Sequence, residues 1–354
     1  MLQSRLRPLP RRRPAFTPSS SSSCSSLPLR PDFADAEEDA DDSDESTEDL
    51  FMAFLPHLFP DDVVSFHGNP GQHLLYSSPR YGDLEIMVPS YPGQSETRTQ
   101  EIAAGLPRAD GQVNQLEEGR KLFAHFIWSA GMVIAEGVER ADALDSSGQL
   151  TENDDVAMWK VRGEKVLELG AGAALPSVIC ALAGASSITT TDHPSSPALS
   201  GAIHFNLSHN LQSPKHPTST STSITIHPHS WGALETDPWA MQHKGSFTRI
   251  VAADCYWMRA QHENLVRTMQ WFLAPGGRVW VASCFHTGRA IVAEFFEMAV
   301  RMGLEIERIY ERDLNSSWDG EAGEVRREWV DVREGEGPEN RRRWCVVALL
   351  KSRR

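Results

Sequence analysis

From Lys165 onward, short apolar runs alternate with segments whose apolar residues recur every three to four positions, which predicts strands joined by helices. "KVLELG" reads as a first strand and "ALPSVICALAGA" as a helix with proline near its start, while "SSITTTDHP" is a second strand ending in an acid. Residues 195–210 form the next helix, "TSITIHPHSWG" (222–232) holds the third strand, and "FTRIVAADCYWM" (247–258) holds the fourth. "AQHENLVRTMQWFLAPGG" is a helix closed by glycine, "RVWVASCF" (278–285) is the fifth strand, and "IVAEFFEMAVRMG" is the helix after it. Strands separated by helices pair in parallel, so the expected architecture is a doubly wound, mostly parallel α/β sheet. "LEIERIYERD" (304–313) and "RWCVVALLK" (343–351) have no helix signal between them and must pair antiparallel.

Upstream the pattern changes. "HLLYSSPRYGDLEIMVP" (73–89) alternates and turns at Pro79 and Gly82, a hairpin signature. "LEEGRKLFAHFIWSAGMVIAEGVER" (116–140) has helical spacing around an expected break at Ser129 to Gly131, and a polar linker occupies 145–155. Order is expected to begin near Leu50, so residues 50–155 read as an N-terminal extension with hairpin and helix, and 156–354 as the main domain. Residues 1–49 are Arg/Ser-rich and then acidic ("PDFADAEEDADDSDESTED", 31–49), with little to bury, and are expected to be a disordered, solvated tail. The charged insertion at 315–343 reads as a loop that orders on a partner, with a substrate-facing hairpin or a disordered loop as the alternatives.

A formal net charge of -14 argues against a nucleic-acid partner, which would call for a clustered basic face. No apolar run approaches the roughly 18 residues of a membrane span. The 5 cysteines lie far apart and the 13 histidines lack metal-ligand spacing, so a reducing compartment and no metal are expected. These features point to a monomeric cytoplasmic protein, with a mitochondrial or nuclear address through the first 30 residues as the alternative.

The candidate chemistry lies at strand ends. In a doubly wound sheet, ligands bind beyond the carboxyl ends of the strands, which places Gly170 and Gly172 beside the site. A dinucleotide fingerprint would need a third glycine where Leu175 stands. The loop alone therefore allows a phosphate cradle, a site for a phosphate-free cofactor, or a plain turn. Glu168 would repel phosphates but could neutralise a ligand carrying an amine and a sulfonium. Asp192, about 20 residues past the loop, suits a ribose diol or a helix cap. Trp231 suits an adenine ring or ordinary packing. Asp254, followed by Tyr256 and Trp257, suits an amine: the acid orients the ammonium and the aromatic faces favour cationic nitrogen. His286 and Arg289 are either near that acceptor or polar loop groups, and Cys255 reads as a packed thiol. Ribose binding without a pyrophosphate signature points to S-adenosylmethionine, ahead of NAD.

On "LFAHFIWSAG", "VLELGAGAALPS", "TTTDHP" with Asn206 and Asn210 downstream, "HSWG" and "AADCYWM", the chain resembles the seven-β-strand methyltransferases of family 16, the protein lysine methyltransferase group. Within that group it is most similar to the fungal branch once described as nicotinamide N-methyltransferase-like, which modifies translation elongation factor 1-alpha at its N-terminus and an adjacent lysine. The resemblance implies a class I S-adenosylmethionine-dependent fold with a seven-stranded sheet, and an N-methyltransferase acting on a protein amine. A small-molecule amine methyltransferase and a non-catalytic cofactor-binding module are the alternatives. Carried over by position, it implies cofactor contacts from Trp128, Glu168, Gly170, Ala171, Gly172, Asp192, Trp231 and the main chain of Ala253, and an acceptor channel shaped by Asp254 and Trp257. Trp257 stands where the family has Tyr or Phe, implying a narrower channel or a different acceptor, and Ala174 stands at the third motif glycine.

Overall fold

A computed structural model of the chain describes residues 2–9, 66–90, 126–151, 154–212, 222–320 and 323–353. They belong to one compact unit, Met1–Leu9 with Val63–Arg354; a second unit, Pro10–Asp62, lies outside the described residues, as do the apolar cluster at Leu50 and the acidic block. After a 3-10 turn at Leu2–Arg5, β1 (Leu6–Pro8) begins the order, followed by β2 (Phe66–His67), β3 (His73–Ser78), β4 (Gly82–Met87), β5 (Ile127–Trp128) and α1 (Ser129–Ser146). Then come β6 (Lys165–Glu168), α2 (Leu175–Leu182), β7 (Ser187–Asp192), α3 (Ala202–Leu211), β8 (Ser223–Pro228) and α4 (Pro238–Gln242). The chain finishes with β9 (Phe247–Ala253), α5 (His262–Phe272), β10 (Leu273–Cys284), α6 (Arg289–Arg301), β11 (Leu304–Asp313), β12 (Arg326–Arg327), α7 (Pro338–Arg343) and β13 (Trp344–Ser352).

The main sheet has the order β12-β11-β13-β10-β9-β6-β7-β8. Its central pairs β10 with β9, β9 with β6, β6 with β7 and β7 with β8 are parallel, whereas β13 lies antiparallel to both β10 and β11. Buried runs such as Val166–Leu167 and Val279–Ala282 face helices on both sides, as a doubly wound sheet requires. One core joins α1, α2 and α3 to the first face; the other joins α5 and α6, through Phe272, Phe295 and Phe296, to the second. The expected seven strands gain an eighth, the two-residue β12, from the insertion.

Three expectations are corrected. Residues 2–9 are not a solvated tail: Leu2 is fully buried, β1 pairs with β3, and Arg5 pairs at 2.8 Å with both Glu136 on α1 and Asp319. No break interrupts Ser129–Gly131, because α1 starts there and runs through Gly131. Gly276 and Gly277 do not close a helix either; α5 ends at Phe272, and β10 begins at Leu273, paired with Phe247 across a register shift.

The hairpin β3–β4 docks on α3 through two asparagines one turn apart. Asn206 exchanges hydrogen bonds with the Met87 backbone (2.7 and 3.0 Å) and Asn210 with the Glu85 backbone (3.1 and 2.8 Å), occupying the free edge of β4.

Candidate functional site

Strands β6, β7, β8 and β9 all end at one cavity of about 320 Å³, the size of a small-molecule site. Trp128, Gly170, Gly172, Asp192, Trp231, Ala253, Asp254 and Trp257 border it, so most of the residues singled out in the sequence converge here. Glu168 and Ala171 instead border a smaller cavity of about 50 Å³, which shares Trp128, Gly170, Gly172 and Ala253 with the first.

The glycines of the loop serve different needs. Both are left-handed, with φ 63° at Gly170 and 52° at Gly172, a region that penalises a side chain. At Gly170 a Cβ would stand 2.9 Å from Cys255 Sγ and 3.1 Å from the Trp231 ring, so glycine permits close packing. At Gly172 a Cβ would meet nothing within 4 Å, so its backbone is open to a ligand. Ala174, at φ 55°, carries the same left-handed turn into α2 at a steric cost that glycine would avoid.

Glu168 departs from expectation. It is buried beneath the loop, accepting hydrogen bonds from the Ser177 backbone N–H (3.0 Å) and the Ser177 hydroxyl. Burial pushes its proton affinity up, to a pKa of about 8, against the pull of the Ser177 bonds. It braces the first turn of α2 and also borders the smaller cavity. Asp192 ends β7 with one oxygen accepting from Gly172 N–H (2.9 Å) and the other from His193 N–H (2.7 Å), tying the strand end to the loop.

Asp254 follows β9 in a left-handed conformation, φ 55°, rare for a residue with a side chain and characteristic of functional turns. That turn separates its neighbours. Trp257 borders the cavity, whereas Tyr256 is fully buried and stacked on Phe295 at 4.3 Å, so it presents no face to an acceptor as the sequence suggested. The Asp254 carboxyl is buried; Oδ1 accepts from Ser283 Oγ (2.7 Å), and Oδ2 has no hydrogen-bond partner among the described residues. Burial raises its proton affinity, opposed by His286 and by the bond from Ser283. Cys255 donates to the Leu169 carbonyl (3.0 Å) and burial raises its pKa, consistent with a packed thiol.

Sequence reasoning passed over His193, Ser230, Met258, Gln261 and Asn264, which also border the cavity. Each lies within a few residues of a strand end or at the start of the following helix, so extending the search past every strand end would have found them. Phe126 had no such signal: it reaches the cavity beside β5, which pairs with β2 outside the main sheet. Arg289 lies elsewhere, paired with Glu311 and Glu336. Among the described residues no cluster of side chains fits a metal ion.

Residues 108–302 match the model of a family described as lysine methyltransferase. The chain is similar to the protein N-terminal and lysine N-methyltransferase EFM7 of Yarrowia lipolytica, 27% identical over 206 residues that cover 54% of this chain and 68% of that one. The EFM7 proteins of Eremothecium gossypii (28% over 216 residues, 59% and 74% covered) and Schizosaccharomyces pombe (27% over 218 residues, 59% and 75% covered) are similar to it as well. With more than half its length matched to the family and its sheet ending in the site described above, the chain belongs to the lysine methyltransferase family, enzymes that use S-adenosylmethionine.

Proposed function

We propose that the chain methylates a protein amine, a lysine side chain or an N-terminus, with S-adenosylmethionine as donor and translation elongation factor 1-alpha as substrate. The observation that carries this reading is that Asp192, the open backbone of Gly172 and Asp254 border one cavity. These groups fit the donor. Asp192 offers a carboxylate to ribose hydroxyls, and Trp231 and Trp128 offer aromatic walls. When bound, S-adenosylmethionine supplies a methyl carbon on a cationic sulfur that an amine can displace. The chain's own residues then have little chemistry to do beyond alignment and exclusion of water. Asp254 accepts an N–H of the acceptor and orients the nitrogen, while Trp257 narrows the approach so that a slender amine-bearing chain enters. The elongation-factor assignment rests on the resemblance to the fungal branch set out in the sequence analysis, while a protein amine as acceptor is also supported by the relatives named protein N-terminal and lysine N-methyltransferase.

Two substitutions separate donor from acceptor. Asp192→Ala should weaken S-adenosylmethionine binding by ten- to a hundred-fold, about 1.5–3 kcal/mol for hydrogen bonds to a charged group, measured by calorimetry. Asp254→Asn should leave that binding intact and slow methyl transfer to a protein acceptor by about 10²–10⁴-fold. Tritium from labelled donor should enter a protein band in a lysate lacking the enzyme, identified by mass spectrometry. Turnover of free nicotinamide with no protein labelled would overturn the reading.

A further inference from the structure

We propose that His286 is a positioning residue that ties the Trp128 wall to Asp254 and holds the Asp254 carboxyl aimed at the acceptor. This rests on the reading of Asp254 given above. His286 follows β10 in a loop, and its ring lies against Trp128, with centroids 4.5 Å apart and planes tilted by 30°. Its Nδ1 stands 3.6 Å from Asp254 Oδ1, the oxygen that also accepts from Ser283 Oγ three residues earlier in the chain. Oδ1 is thus held from one side by a hydroxyl and faced from the other by an imidazole. His286 itself is largely buried.

The loop that carries His286 is anchored. Phe285, next to it, packs under the Arg289 guanidinium at 4.2 Å, and Trp329 of the insertion lies 5.3 Å from the same group. The other titratable groups recorded around Asp254 are the thiols Cys255 and Cys284 and the Tyr256 phenol. Burial keeps Cys255 and Tyr256 neutral, and a bond to Cys345 together with burial does the same for Cys284. Among these titratable groups His286 is the one that counters the effect of burial at the Asp254 carboxyl.

The test is the pH dependence of methyl transfer at saturating donor. His286→Phe keeps a ring against Trp128 and removes the ring nitrogen that faces Asp254 Oδ1; His286→Gln removes the ring altogether and serves if the first variant melts early. Donor affinity should stay within about twofold of the parent in His286→Phe, because the ring contact survives. The acidic limb should move up by about one pH unit in both variants, because Asp254 then protonates more readily. A limb that stays in place in both, or activity lowered evenly at every pH, overturns the inference. Asp254→Asn measured alongside separates the two ideas. If it transfers methyl groups at the parent rate, the reading of Asp254 fails. If it is strongly impaired while the His286 variants keep the parent limb, only the role of His286 fails.

Discussion

Glu168 is the residue whose chemistry most changes between sequence and structure. As an acid beside a glycine loop it looks like a counter-charge, yet it lies under the loop and takes both hydrogen bonds offered by Ser177. Its pKa of about 8 exceeds the ordinary carboxylate value it regains on unfolding. Between roughly pH 4.5 and 8 the unfolded chain therefore binds fewer protons at this position than the folded one, and stability falls as pH rises through that window. Glu168→Gln keeps an acceptor for Ser177 and has nothing to ionise. Its melting temperature should decline less between pH 5 and 8 than the parent's, as differential scanning calorimetry can measure. Asp192 and Asp254 were legible in the sequence because both close apolar strands in a doubly wound pattern, and that topology sends strand ends to the ligand. Tyr256 was misread because the sequence does not reveal the left-handed turn at Asp254 that sends one aromatic inward and the next outward.

At the level of elements, the strands were legible wherever burial on both faces makes a run apolar, and their ends blurred where pairing decides them. Leu273 to Gly277 looked like a helix cap and joins β10 because the edge of β9 is there to receive it. The insertion at 315–343 was the hardest to read, since its charges gave no sign of their partners. They are found within the chain itself. Glu311 of β11, fully buried, meets Arg289 at 2.6 Å, Arg327 at 2.6 Å and Arg333 at 3.2 Å, while Glu336 meets Arg289 and Arg327 at 2.7 and 2.9 Å. Burial disfavours the Glu311 charge, yet bonds from Arg289 and Arg327 hold its pKa below the usual range. The insertion is thus latched to the sheet and needs no partner to order it. Removing the shared carboxylate would leave the buried Arg289 guanidinium to Glu336 and take a partner from Arg327 and Arg333, so Glu311→Gln should cost about 3 kcal/mol and open residues 315–343 to limited proteolysis before the rest of the fold.

For the whole molecule, the informative region is the one that composition made look least structured. An Arg-rich opening followed by Ser and acid reads as solvated chain, but composition averages over windows longer than the eight residues, 2–9, that pack here. Leu2 is buried, its N–H meets the Leu314 carbonyl at 3.3 Å, and Arg5 bridges Glu136 and Asp319. A chain started at residue 50 would lose all of this. Burying one leucine alone contributes about 1.5–3 kcal/mol, so that chain should melt several degrees lower in a thermal scan.

The same contacts mean that residues 2–9 act as a ligand tethered to its own receptor, held at high effective concentration by the residues between 10 and 65. A synthetic peptide of residues 1–9, added to the shortened chain, should bind saturably and raise its melting temperature as its concentration rises.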